Sequence, residues 1–294
     1  MGSQNAVMDA SAVKCRASAI ADKVDLIEAR NLEVKEGSKV IVKDVDWHIR
    51  PGENWVLFGL NGCGKTTLLS RLCAYLSPSA GEVRLFGETV NEENQVRLRR
   101  RVGWVSGSFF DKYLRHEAVQ EIVLAGKYGT LGFHDEWPDD ADVRRAKRLL
   151  RSMGLAEKAR YPYSTLSKGQ QQKVLIARAL MAEDLEVLVL DEPCSGLDII
   201  SRERFLHLVE GVVSQREFAV VYVTHHTEEI LPFFNKAALM RDGGLYAMGD
   251  LKDVFCDDVL TGFFDTPAEV LWSRRHFFIN LEVSEEASIE DVFI

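Results

Sequence analysis

The sequence has no apolar run near the roughly 20 residues that a bilayer span requires. Its longest candidates, VLVL and AVVYV, have the length of buried strands, so a role at a membrane would need spans supplied by another chain. Basic residues are outnumbered, 36 Lys and Arg against 45 Asp and Glu, for a formal net charge of −9. Binding to nucleic-acid backbones draws on a basic surplus and is therefore not favoured. Cysteine is sparse and odd in number: Cys15, Cys63, Cys73, Cys194 and Cys256 form no C-x-x-C pair and no His-flanked cluster. That usage predicts free thiols in a reducing compartment and no structural metal centre. No internal repeat or low-complexity tract is present, and the first residues lack the apolar centre of a secretory signal. Residues 1–23 are expected to be a disordered extension.

What is present suits one α/β domain carrying a subdomain: 294 residues, of which 46% are apolar. From Val24 to Arg50 apolar and charged residues alternate around EGSK, with Val45, Trp47 and Ile49 on one face, predicting an antiparallel strand pair. NWVLFG then predicts a short buried strand, followed by a Gly-rich loop and a helix from about Lys65 to Leu76. GEVRLFG and RVGWVS read as further strands around a charged helical piece. From about 111 to 165 the pattern turns helical, with Ala146, Leu149, Leu150 and Met153 sharing a face. The helix KVLIARAL, the strand VLVLDEP, a helix from about Ser201 to Ser214 and the strand AVVYVTHH complete the core. Strands alternating with helices imply a mostly parallel, covered sheet. Residues 24–250 form the core domain in this reading, and 251–294 a C-terminal extension with a short helix and two strands.

The stretch GLNGCGKTT meets the spacing G-x-x-x-x-G-K-[ST] through Gly59, Gly64, Lys65 and Thr66. The pattern has a mechanical reason. Glycines let backbone N–H groups curl around phosphate oxygens, the helix start adds its positive dipole end, the lysine reaches the outer phosphates and the hydroxyl suits Mg2+. Gly59, Asn61, Gly62, Cys63, Gly64, Lys65, Thr66 and Thr67 are thus candidate phosphate-binding residues. VLVLDEP ends in Asp191 and Glu192 at the edge where α/β sheets bind ligands, so Asp191 can hold a metal and Glu192 can orient or deprotonate a water. His225 and His226 follow the strand AVVYV and emerge at the same edge, and composition does not choose between them.

With LSKGQQQ, DEPCSGLD and VTHHTEEI following in that order, the chain from about 24 to 249 resembles the ATP-binding cassette (ABC) ATPases. The resemblance implies a P-loop NTPase fold of ABC type, with an antiparallel N-terminal β-subdomain and an inserted helical subdomain. It implies a homodimer enclosing two ATP molecules with Mg2+, each phosphate loop facing the signature of the other subunit. Ser167, Gly169 and Gln170 then belong to the signature, Asp198 is the D-loop acid, Glu192 the hydrolytic acid and His225 the switch histidine. The implied activity is Mg-dependent ATP hydrolysis in a cytoplasmic subunit that powers an integral-membrane permease. A soluble clamp working on nucleic acid, ribosomes or cofactor assembly is the alternative.

Four features depart from the family or are unusual in it. Ser106 stands where a glutamine usually contacts Mg2+, and a hydroxyl can still serve there. NLEVKEGSKVIV has no aromatic residue to stack on adenine, which leaves base contact to apolar side chains such as Val40 or to another residue. Lys168 replaces a commoner glycine. Cys63 is a small filler of the loop in the plainer reading; in the sharper one, loop N–H groups and Lys65 lower its pKa and make it reactive. Together with WHIRPGENWVLFGLNGCGKTTLL and DEPCSGLD, the serine resembles the molybdate-type branch.

Overall fold

The computed structural model describes residues 24–132, 138–182, 184–215, 217–273 and 277–282, so the expected 1–23 extension lies outside the described residues. The alternation at the start folds as expected. β1 (Ile27–Glu36) and β2 (Lys39–Ile49) pair antiparallel, burying Val45, Trp47 and Ile49. β4 (Ala80–Leu85) lies on the other side of β1, and β5 (Glu88–Thr89) completes a four-stranded sheet ordered β2-β1-β4-β5.

Between them, β3 (Asn54–Phe58) enters a second, six-stranded sheet and leads through the Gly-rich loop into α1 (Lys65–Leu72). This helix stops four residues short of the expected end because the chain turns left-handed at Ala74, φ 58°. Tertiary packing accounts for the stop: Tyr75 leaves the helix to stack with Trp104, Phe109 and Phe110 at centroid distances of 5.2–5.6 Å.

α2 (Gln95–Arg99), β6 (Val102–Ser106) and α3 (Gly107–Phe110) follow. The segment expected to be helical holds α4 (Val119–Tyr128) and α5 (Asp140–Ser152). Ala146, Leu150 and Met153 are buried there and Leu149 half-buried. α6 (Lys168–Ala179) ties this segment to the core. At Gly126 of α4 a Cβ would fall 2.0 Å from the carbonyl oxygen of Arg178, so only glycine allows that backbone-to-backbone approach.

β7 (Val187–Asp191), α7 (Ile199–Ser214), β8 (Ala219–Thr224), β9 (Lys236–Arg241) and β10 (Gly244–Asp250) complete the core. The large sheet runs β10-β9-β3-β8-β7-β6; its strands are parallel except for β10, which turns back antiparallel on β9. Four of its strands are apolar almost throughout, as a sheet covered on both faces requires.

Beyond Asp250 the described residues hold two short helices where one was expected, α8 (Leu251–Val254) and α9 (Asp257–Phe264). Two strands lie where the sequence reads AEVLW and FFINLEV, β11 (Ala268–Trp272) and β12 (Phe277–Leu281), and they pair antiparallel. Phe255, Leu260 and Phe263 are buried, and Phe255 meets Phe58 edge-on at 5.5 Å. This segment is therefore packed into the core next to the strand that precedes the Gly-rich loop.

Candidate functional site

β3, β7, β8 and β6 are parallel neighbours or next-neighbours, so Phe58, Asp191, Thr224 and Ser106 end at one edge of the sheet. This register gathers residues far apart in sequence. The Gly-rich loop leaves β3 with Gly62 and Gly64 at φ 81° and 108°, a region that side chains rarely enter. A Cβ on Gly59 would lie 2.4 Å from the carbonyl oxygen of Met240, so the loop is seated directly on β9.

Lys65 folds back over the loop. Its Nζ donates to the carbonyl oxygens of Gly59 at 2.8 Å and Leu60 at 3.0 Å, and stands 3.0 Å from Glu192 Oε1. Glu192 follows β7 in a left-handed conformation, φ 44°, which is uncommon for a side-chain-bearing residue and aims its carboxylate back at the loop. His225 Nδ1 is 3.5 Å from the same Oε1. The two histidines separate here: His226 instead approaches Glu228 at 3.6 Å. A buried network that sequence reasoning missed holds the turn carrying both. Tyr222 and Thr224 donate to Glu229 Oε2 at 3.0 and 2.8 Å, and Thr224 Oγ1 accepts from the His226 N–H at 2.9 Å.

Asp191 lies at the bottom of the site. Thr66 Oγ1 and Ser106 Oγ both donate to its Oδ2, at 2.9 and 2.8 Å, while its buried Oδ1 has no hydrogen-bond partner among the described residues. Burial raises the carboxyl to about 6, against the two hydroxyl bonds that favour its charged form. A buried carboxylate with an orphaned oxygen, flanked by two hydroxyls, is a donor set that a hard divalent cation satisfies. Thr66, Asp191 and Ser106, the three metal candidates from sequence, are thus brought together; Ser108 Oγ, 3.2 Å from Ser106 Oγ, was not foreseen. Elsewhere Asp25, Glu28 and His48 could converge on an ion, but Arg30, Arg50 and Arg84 already pair with their carboxylates.

The raised Asp191 has a consequence for stability without ligand. Its folded pKa lies above its unfolded one, so protonation favours the fold; the contribution is whole below the unfolded value near 4 and lost as pH rises through about 6. Relative to Asp191→Asn, the nucleotide-free wild type should therefore lose about 1 kcal/mol of stability between pH 5 and pH 7.5. Urea denaturation at the two pH values measures it, and an unchanged difference would refute an uncompensated charge at this position.

Ser167, Gly169 and Gln170 sit at the start of α6. Ser167 and Gln170 form a reciprocal cap, Gln170 N–H to Ser167 Oγ at 3.3 Å and Ser167 N–H to Gln170 Oε1 at 3.1 Å. None of the contacts found for these three among the described residues goes to the Gly-rich loop of the same chain. Lys168 is neutralised by Asp111 at 2.7 Å, so the added charge has a partner outside the site. Asp198 caps α7, accepting from Ser201 N–H at 2.9 Å and Oγ at 2.8 Å. Ile199 and Ile200 beside it are 72% and 63% exposed, an apolar pair left facing outward.

The loop residues Asn61, Gly62 and Cys63 line an adjoining cavity, and Thr67 accepts bonds from Ser70 and Arg71 through its carbonyl oxygen. For Cys63 the sharper expectation fails. Burial raises the thiol above its ordinary value, and Lys65 together with the loop N–H groups offsets this only in part. Cys63 is therefore a half-buried filler, not a ready thiolate.

The ABC transporter family profile matches residues 42–195. The uncharacterized ABC transporter ATP-binding protein YlmA of Bacillus subtilis is 41% identical over 256 residues, covering 86% of this chain and 96% of that protein. The hemin import ATP-binding protein HmuV of Methylobacillus flagellatus is 30% identical over 251 residues, covering 84% and 91%. Among solved structures, a dimeric bacterial ABC transporter cassette superposes with a TM-score of 0.65 at 25% identity, covering 76% of this chain and 98% of that one.

Proposed function

The chain belongs to the ABC transporter family as an ATP-binding subunit, and from that membership we propose that it is a Mg-dependent ATPase whose site is the Lys65–Thr66–Ser106–Asp191–Glu192–His225 cluster. The observation that carries this reading is the buried Asp191. It accepts from Thr66 and Ser106, its second oxygen has no partner among the described residues, and it lies next in sequence to Glu192 at the phosphate loop. Thr66, Asp191 and Ser106 would hold Mg2+, which supplies charge neutralisation on the phosphates.

The residues of this chain divide the remaining work. Lys65 is engaged with Glu192 and two loop carbonyls; a phosphate chain in the loop would compete for the ammonium and free the carboxylate. Glu192 is then placed to accept a proton from the attacking water, and His225, beside the same oxygen, to hold that water or the outer phosphate. Ser167, Gly169 and Gln170 supply the N-terminal end of a 12-residue helix whose dipole suits phosphate. They would do so toward the loop of a second subunit, with Asp198 and the exposed Ile199 and Ile200 at the joint. Ser106, with the stretches around Cys63 and Cys194, supports a place near the molybdate-type branch. Relatives named for hemin, carnitine and methionine are about as similar as one another, which leaves the solute open.

No helix among the described residues is long and apolar enough to cross a membrane, so the transport path in this proposal belongs to separate permease chains on whose cytoplasmic side the subunit sits. Of the two expected readings, the transporter subunit is supported by relatives named as transport ATP-binding proteins, and the clamp without a permease is set aside. Two measurements test the proposal. Purified protein should release phosphate from ATP with Mg2+ and lose that activity in EDTA. Tagged protein should bring down a polytopic membrane protein from detergent-solubilised membranes. Activity indifferent to EDTA would remove the metal role, and a tagged protein recovered only from the soluble fraction would revive the clamp.

A further inference from the structure

Beside the Gly-rich loop lies a cavity of about 500 Å³, within the roughly 300–1,000 Å³ usual for ligand pockets. One wall is the loop itself, Leu60 to Cys63, so a nucleotide held there by its phosphates has this space for its base. The β2 side contributes Val40, the apolar residue expected to contact a base where the stretch lacks an aromatic, and with it Ile41. The lining also includes Met240 together with Phe263 and Phe264 from the end of α9, some two hundred residues downstream.

The two phenylalanines differ. Phe263 is 3% exposed and packs against Phe58 and Tyr246, whereas Phe264 is only half-buried, edge-on to Phe58 at 6.5 Å. Phe264 is therefore the ring with surface to offer. Its position is braced from the core: Arg241, at the end of β9, donates to the carbonyl oxygens of Gly262 at 3.1 Å and Phe263 at 2.9 Å and pairs with Asp265. This caps the free C-terminal carbonyls of α9 and fixes the last turn at the mouth of the cavity.

We propose that Phe264 is the platform on which the purine base of the bound nucleotide stacks, so that the C-terminal segment completes the nucleotide site of this chain; this rests on the nucleotide reading above. Stacking uses the π-face that every base presents and draws on no donor pattern, so adenine and guanine nucleotides are served alike.

ADP and inorganic pyrophosphate share the phosphates and differ by the nucleoside, so they separate the two readings. Binding of each, with Mg2+, is measured by calorimetry on the full-length wild type, Phe264→Ala and Phe264→Tyr. Phe264→Ala should raise the Kd for ADP and for GDP about tenfold and leave that for pyrophosphate within twofold. Phe264→Tyr, which keeps the ring, should bind ADP as the wild type does. An unchanged ADP Kd in Phe264→Ala, or an equal loss of ADP and pyrophosphate, overturns the platform while leaving the phosphate site standing. A wild type that binds neither ligand overturns both.

Discussion

Replacing Lys65 with alanine is expected to lower kcat/KM for ATP hydrolysis by roughly 10³-fold, the upper range for losing one preorganised charged donor. The size of the effect follows from where the ammonium sits. Only 4% of the side chain is exposed, and its Nζ is held by Gly59, Leu60 and Glu192 within 3.0 Å, so no water replaces it at equal cost. Removal deletes the donor for the outer phosphates and leaves Glu192 beside them without a counter-charge, so repulsion adds to the lost contact. The lysine gives the loop two bonds, to the carbonyls of Gly59 and Leu60, but the glycines and the seat on Met240 shape the rest of its backbone, so the variant should unfold within a few degrees of the wild type. Steady-state phosphate release and a thermal melt on one preparation check both halves. Wild-type turnover by a well-folded Lys65→Ala protein would remove this loop from the chemistry.

The second large effect concerns Glu192. Glu192→Gln keeps the shape and an oxygen for Lys65 but removes the base, and hydrolysis should fall by about 10²–10⁴-fold, the range for a positioned general base. Binding should behave differently. Glu192 Oε1 lies within 3.0 Å of the lysine that phosphates need, so removing its charge relieves competition and repulsion there, and the variant should hold ATP at least as tightly. If hydrolysis is what reopens a dimer, Glu192→Gln with Mg-ATP should accumulate as dimer on size exclusion, while the wild type returns to monomer as ATP is spent. Turnover within tenfold of wild type would refute the assignment. A variant that hydrolyses slowly yet stays monomeric with ATP would keep the base and refute the dimer.

Much of this site was legible in the sequence because its parts are local. The Gly59–Thr67 loop needs left-handed backbone at Gly62 and Gly64, close approach at Gly59, and a lysine and a threonine on the helix that follows; nine contiguous residues carry all of it. Asp191 and Glu192 were legible because an apolar run ending in acids, read together with the Gly-rich loop, points to the ligand edge of a buried parallel strand. The Ser167–Gln170 cap, too, is written within four residues. What periodicity could not supply was the end of α1, where Tyr75 is drawn into an aromatic cluster built by residues near 104–110. It also could not anticipate the state of Cys63: the loop N–H groups and Lys65 favour a thiolate, but packing around the sulfur desolvates it and prevails.

The sequence by itself determined the covered parallel sheet, the Gly-rich loop and the chemical identity of each catalytic candidate, since these follow from residue type and short spacing. Only the tertiary structure decided which of those residues share a site. The parallel register of β6 and β7 sets Ser106 against Asp191 across 85 positions, and the left-handed turn at Glu192 directs it to Lys65 and, with it, to His225 rather than His226. The packing of α9 onto β9 through Arg241 brings Phe264 to a loop more than two hundred residues earlier. Hydrogen-bond register and the burial of Phe255, Leu260 and Phe263 are properties of the folded whole, and no window of sequence contains them.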